Sequence, residues 1–73
     1  MNAVMSDHVY KTVEITGTSP DGVQAAIDRA LSKAGETLRN IDWFEVTEIR
    51  GAIVENSTHY QTTLKIGFRL EDS

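Results

Sequence analysis

The chain has 73 residues, no cysteine, a single tryptophan and a formal net charge of −4. That length fits one domain with a marginal core, since so short a chain buries only about 60% of its unfolded surface. The missing cysteines exclude disulfides and thiolate zinc sites, and the acidic balance without a basic stripe argues against a nucleic-acid binder.

Small domains are commonly reinforced by disulfides, a metal or oligomerisation. His8 and His59 stand apart without ligand spacing, which leaves oligomerisation open. Met1 to Asp7 shows neither a basic stretch nor an apolar stretch of a secretory signal, and no apolar run nears a membrane span of roughly 18 residues. The sequence therefore reads as that of a cytoplasmic protein, with residues 1–8 as a flexible tail and 9–73 as a single domain.

Val9 to Thr16 is β-branched and aromatic, with Val9, Val13 and Ile15 on one face and Gly17 ending the run. Thr18-Ser19-Pro20-Asp21 has the chemistry of a helix start: a hydroxyl to cap an orphan N–H, a proline for the first helical position and an acid at the positive dipole end. Val23, Ile27, Ala30, Leu31, Ala34 and Leu38 then recur at helical spacing, and Arg39-Asn40 ends the helix. Trp43 to Val54 and Thr58 to Leu70 read as two strands joined by a loop at Glu55-Asn56-Ser57. In the last strand Tyr60, Thr62, Leu64, Ile66, Phe68 and Leu70 share one face, and Gln61, Thr63, Lys65, Gly67 and Arg69 the other. The order strand–helix–strand–strand gives an α+β fold. Its sheet is three-stranded and antiparallel, with the last strand central, wrapped around one helix.

The second strand does not alternate cleanly. Phe44 and Val46 lie on one parity, Ile49 and Ile53 on the other, and one extra residue near Thr47-Glu48 would repair the pattern as a β-bulge. The matching register pairs Phe44 with Phe68 and Val46 with Ile66 before the bulge, then Ile49 with Leu64 and Ile53 with Tyr60 after it. It puts Trp43 opposite Arg69, Arg50 opposite Thr63 and Gln61 opposite Ala52, all on the outer face. Trp43 and Gln61 are then about eight strand residues apart, roughly 26 Å at about 3.3 Å per residue. If they serve one ligand, they do so across a subunit boundary.

On pattern alone, Trp43 is favoured as a packing residue over a sheet end, although an outward indole also offers a π-surface for stacking. Gln61 is either a solvated sheet residue or a combined donor and acceptor for a heterocycle edge. Arg50 and Arg69 suit a phosphate, or equally a salt bridge with Glu45, Glu48 or Glu71. No nucleophile–base constellation and no spaced carboxylate pair is readable, so nothing in the residues supports an enzyme.

Taken together, Glu14-Ile15-Thr16-Gly17-Thr18-Ser19, Asp42-Trp43-Phe44-Glu45-Val46, Glu48-Ile49-Arg50-Gly51, Tyr60-Gln61 and Gly67-Phe68-Arg69-Leu70 resemble the dodecin family, small flavin-binding proteins of bacteria and archaea, over about Val9 to Asp72. The likeness is to the bacterial branch. The resemblance implies a hollow sphere of twelve identical chains with tetrahedral symmetry, helices outward. It implies paired flavins stacked between symmetry-related copies of Trp43, with Gln61 on the isoalloxazine edge. Asp42, Arg50 and Arg69 complete the cofactor-binding set, with Arg50 or Arg69 at the phosphate of flavin mononucleotide (FMN). Riboflavin or flavin adenine dinucleotide (FAD) are related cofactors, and coenzyme A is a further ligand of bacterial members. The implied role is flavin storage or buffering, with the stacked indole quenching photochemistry. Two other readings stand beside it: an assembly module with Trp43 buried at an interface and no flavin, and a flavin-dependent oxidoreductase, for which no catalytic group is placed.

Overall fold

The structure is a computed structural model that describes residues 8–70, so most of the expected tail lies outside the described residues. Four elements follow one another: β1 (Tyr10–Ser19), α1 (Val23–Gly35), β2 (Ile41–Val54) and β3 (Ser57–Arg69). The sheet order is β1-β3-β2 with both pairings antiparallel, as the sequence predicts.

The strand–helix junction differs in detail from the expectation. β1 runs past Gly17 to Ser19, because Gly17 lets the helix press on the strand: a methyl group there would overlap the Ala26 carbonyl oxygen and the Ala30 side chain. Ser19 Oγ accepts the N–H of Asp21 at 3.0 Å, which makes a local turn of Pro20 and Asp21 and delays the helix to Val23. Gly22 takes the cap position with φ 125°, a conformation open mainly to glycine. The helix ends at Gly35 rather than at Arg39-Asn40. Asn40 does adopt the left-handed conformation, φ 62°, but at the entry to β2.

The helix packs across β1 and β3 by its small residues. Ala26, Ala30 and Ala34 are buried, one per turn, with Ile27 and Leu31 beside them. Leu64 and Ile66 of β3 are fully buried beneath, and Val13, Ile15, Leu38 and Ile41 close the edges. Ala26 lies outside the expected apolar stripe. Its lack of bulk is what suits it to the closest approach.

β2 carries the expected bulge, with a register shift between Val46 and Glu48. Thr47 is the extra residue, and its hydroxyl donates to the Thr63 carbonyl at 3.2 Å, tying the bulge to β3. A second shift, between Ile41 and Trp43, leaves Asp42 as another extra residue, which the alternation did not reveal. The register itself is two residues from the expected one: Phe44 faces Ile66, Val46 faces Leu64, Ile49 faces Thr62 and Ile53 faces Thr58. The reason is the turn. Val54 pairs with Ser57 across a two-residue loop, Glu55-Asn56, with φ 49° and 67°. Positive φ at both central residues is the hairpin turn whose twist matches the strands.

The apolar row of β2 is left uncovered by the helix. Phe44, Val46, Ile49 and Ile53 are 45, 36, 56 and 73% exposed in the single chain. Burying such side chains fully stabilises by about 1.5–3 kcal/mol each, so this edge strand holds a large unrealised share of the chain's hydrophobic stabilisation.

Candidate functional site

The outer face of the sheet, opposite the helix, carries the polar rows that the register aligns. Lys65 lies between Glu14 and Glu45, Thr63 between Thr16 and Glu48, Gln61 between Thr18 and Arg50, and Gly67 between Thr12 and Trp43. Thr16 and Thr63 share a hydroxyl hydrogen bond of 2.8 Å.

At one end of this face stands Trp43. It faces Gly67 rather than Arg69, a correction that follows from the shorter turn. The difference matters locally, because the indole occupies the space a side chain at Gly67 would need: a methyl group there would overlap the Trp43 ring. Gly67 is therefore the floor on which the indole rests. Trp43 keeps 39% of its surface exposed, so the ring is supported from below and open above.

Tyr10, from the far edge strand, reaches the same place. Its ring centroid lies 6.5 Å from that of Trp43 with a 55° tilt, and its hydroxyl donates to Oδ2 of Asp42 at 2.9 Å. The bulge brings the Asp42 side chain within reach, because an extra residue breaks the alternation of faces. Accepting this hydrogen bond, the Asp42 carboxylate raises the Tyr10 pKa above its ordinary value of 10.0. Desolvation and the negative charge of Asp42 add to the rise, and the positive charge of Arg69 opposes it. Arg69 pairs with Tyr10 across β1 and β3, so it belongs to the Trp43 end of the face.

Toward the other end, Arg50 and Gln61 are direct cross-strand partners, not the partners of Thr63 and Ala52 that the longer loop implied. Arg50 Nε donates to Gln61 Oε1 at 2.8 Å. A guanidinium has only donors, so it takes the carbonyl end of the amide and turns the –NH2 end outward. Gln61 thus presents chiefly two donors, instead of the balanced donor and acceptor its residue type allows.

The five residues singled out from sequence fall into two groups: Asp42, Trp43 and Arg69 at one end, Arg50 and Gln61 toward the other. Trp43 lies opposite Gly67, six residue steps along β3 from Gln61, about 20 Å at about 3.3 Å per residue. Within one chain they do not serve a single flat ligand. A cleft of about 550 Å³ between the loop after the helix and the end of β3 is lined in part by Arg69, and one of about 690 Å³ lies between the helix and β1; neither is lined by Trp43 or Gln61. Tyr10 is a neighbour of Trp43 that the sequence does not announce, since only the cross-sheet register brings it there. The signal that points to it is the register itself, in which Tyr10, opposite Arg69, stands one outer-face row beyond the Gly67–Trp43 pair.

Among the described residues no helix is long and apolar enough to cross a membrane, and no group of three histidine or acidic side chains stands close enough to hold a metal ion.

Comparison with known proteins agrees with this architecture. The model of the Dodecin family matches residues 9–71. A dodecin from Thermus thermophilus is 56% identical over 66 residues, covering 89% of this chain and 96% of that protein. The dodecin structure from Streptomyces coelicolor superposes with a TM-score of 0.86 at 53% identity, covering 94% of this chain and all of the other. A dodecin from Streptomyces davaonensis does so with a TM-score of 0.85 at 46% identity, covering 90% and 98%. With a family match over nearly its whole length and relatives above half identical, this chain belongs to the dodecin family.

Proposed function

We propose that this protein is a flavin-binding storage or buffering protein, not an enzyme, which sequesters FMN or riboflavin between subunits of a hollow homododecamer. The observation that carries the reading is the seat of Trp43: an indole held over a side-chainless glycine, with its upper surface open, on the outer face of a sheet in a dodecin-family chain. An aromatic platform of this kind suits a flat heterocycle, and stacking of rings stabilises by about 0.5–1.5 kcal/mol beyond area burial. An indole against the isoalloxazine also offers an efficient route for quenching the flavin excited state.

The separation of Trp43 from Gln61 makes the site composite. Trp43 of one subunit supplies the stacking surface, and Gln61 of a neighbour supplies hydrogen bonds to the ring edge. With its oxygen engaged by Arg50, Gln61 meets an acceptor edge of the heterocycle best. Arg69, beside the tryptophan seat, is the better placed of the two arginines for an FMN phosphate, because the Nε of Arg50 is already committed to Gln61. The uncovered β2 row supports assembly, since a neighbouring copy that covers Phe44, Val46, Ile49 and Ile53 completes the core.

Sedimentation of purified protein with riboflavin or FMN, followed in the visible absorption band of the flavin, tests the reading. Flavin should travel with a particle near twelve chains in mass, at one flavin per subunit or fewer. Flavin left at the meniscus while the protein sediments, or a folded monomer at micromolar concentration, would contradict it.

A further inference from the structure

We propose that Tyr10 is a positioning residue for Trp43, and that Tyr10, Asp42 and Gly67 form a clamp that fixes the plane of the indole before any ligand arrives. The inference deepens the flavin reading and rests on it for its functional consequence, but its structural part stands on the single chain.

Three contacts define the clamp. Gly67 limits the indole from below, because the ring fills the space of the absent side chain. Tyr10 limits it from the side, in a tilted pair with 6.5 Å between centroids and 55° between ring planes, within the roughly 4.5–7 Å range of interacting aromatic pairs. Asp42 limits Tyr10 in turn, through the 2.9 Å hydrogen bond to its hydroxyl. The sheet order explains how residues so far apart in sequence meet. β1 and β2 are both neighbours of β3, and the only residue between Thr12 and Trp43 in the β3 row is a glycine. Any side chain at 67 would displace the indole from its place beside Tyr10. The second bulge of β2 has a purpose in this arrangement, since its extra residue, Asp42, is the one that anchors Tyr10 and also the one that precedes Trp43.

The consequence is preorganisation. A tryptophan half-exposed on an open sheet face would sample several rotamers, and a ligand would have to select one. Held at one tilt, symmetry-related copies of Trp43 present surfaces of fixed spacing and angle, which a stacked flavin needs on both sides.

Near-UV circular dichroism of the ligand-free protein reads the order of its one tryptophan, and a riboflavin fluorescence titration reads the function. Tyr10→Leu, which removes both ring and hydroxyl, should lose much of the long-wavelength indole signal and bind riboflavin about threefold to tenfold more weakly. Asp42→Ala, which leaves the tyrosine in place but frees its hydroxyl, should move both readouts the same way by less. Tyr10→Leu that is folded, assembled and unchanged in both readouts overturns the clamp, and if that variant does not fold, Asp42→Ala unchanged in both does so. Wild-type protein that leaves riboflavin fluorescence untouched defeats the flavin reading instead. The indole signal then decides the clamp alone: its loss in Tyr10→Leu supports the clamp and its retention overturns it.

Discussion

Arg50 and Gln61 face each other across β2 and β3, and the guanidinium Nε of one donates to the amide oxygen of the other at 2.8 Å. This contact turns the amide –NH2 of Gln61 outward, and under the proposed function it gives Arg50 a role separate from phosphate binding. Arg50→Met removes the donor while keeping much of the stem. A hydrogen bond of this kind is worth about 1 kcal/mol net, so flavin affinity should fall about fivefold. Isothermal titration with riboflavin and with FMN separates the two roles. Equal losses for both ligands mark Arg50 as the residue that orients Gln61, and a loss confined to FMN marks it as a phosphate ligand.

Gly67→Ala places a methyl group in the volume of the indole, so either the ring or the strand must shift. Overpacking of this kind destabilises by about 1–3 kcal/mol. The expected outcome is a lower thermal midpoint together with a red-shifted or broadened Trp43 emission. A variant with wild-type stability and emission would show that the indole does not rest on Gly67. Gly17→Ala, which meets the Ala26 carbonyl and Ala30 on the other face, should destabilise by a similar amount but leave the Trp43 emission unchanged.

Ile49 is 56% exposed in the single chain, on the row that the helix does not cover. Ile49→Glu should therefore cost the isolated subunit little, within about 0.5 kcal/mol as for surface positions. In the proposed assembly the same change would bury a charge without a partner. Sedimentation velocity should show smaller species that retain the far-UV spectrum of the fold. An intact large particle would mean that this row is not an interface.

The hydroxyl of Tyr10 titrates above its usual value, first because it donates to Asp42, then because of desolvation and the charge of Asp42, with Arg69 acting against the shift. A pKa raised in the folded chain favours the neutral phenol there. The contribution of this contact is complete below about pH 10 and is lost as the pH rises through the ionisation of Tyr10. The order of the indole should follow the same course, falling at alkaline pH. Asp42→Ala should lower the Tyr10 titration toward its ordinary value, as read from its ring resonances by NMR. A Tyr10 midpoint that does not move in that variant would remove the hydrogen bond from the account.

The fold was legible because its signals are local. Alternation in 58–70, helical spacing from Val23 to Leu38 and the parity break near Thr47 carry the element order, the central place of β3 and the first bulge. The register was not, because it depends on a turn that has a glutamate at φ 49°, where the residue types that usually announce a two-residue hairpin are asparagine and glycine. Two residues of register preserve which face each side chain takes, so the outer-face position of Trp43, Arg50 and Gln61 is legible in the sequence and their cross-strand partners are not. The helix start misled for a related reason. The Ser19-Pro20-Asp21 cap chemistry is real, but Ser19 spends it on a turn within the loop. The contact between Tyr10 and Asp42 joins residues 32 apart in sequence through a bulge with no parity signature, so no window of the sequence contains it.

Titration of riboflavin fluorescence with wild-type protein and with Trp43→Ala decides whether Trp43 stacks on a bound flavin. Aromatic stacking on a heterocycle is worth about 1–3 kcal/mol by alanine substitution, so the variant should bind about tenfold or more weakly and lose most of the quenching. Affinity and quenching that survive Trp43→Ala in a folded, assembled particle would mean that Trp43 does not stack on the flavin.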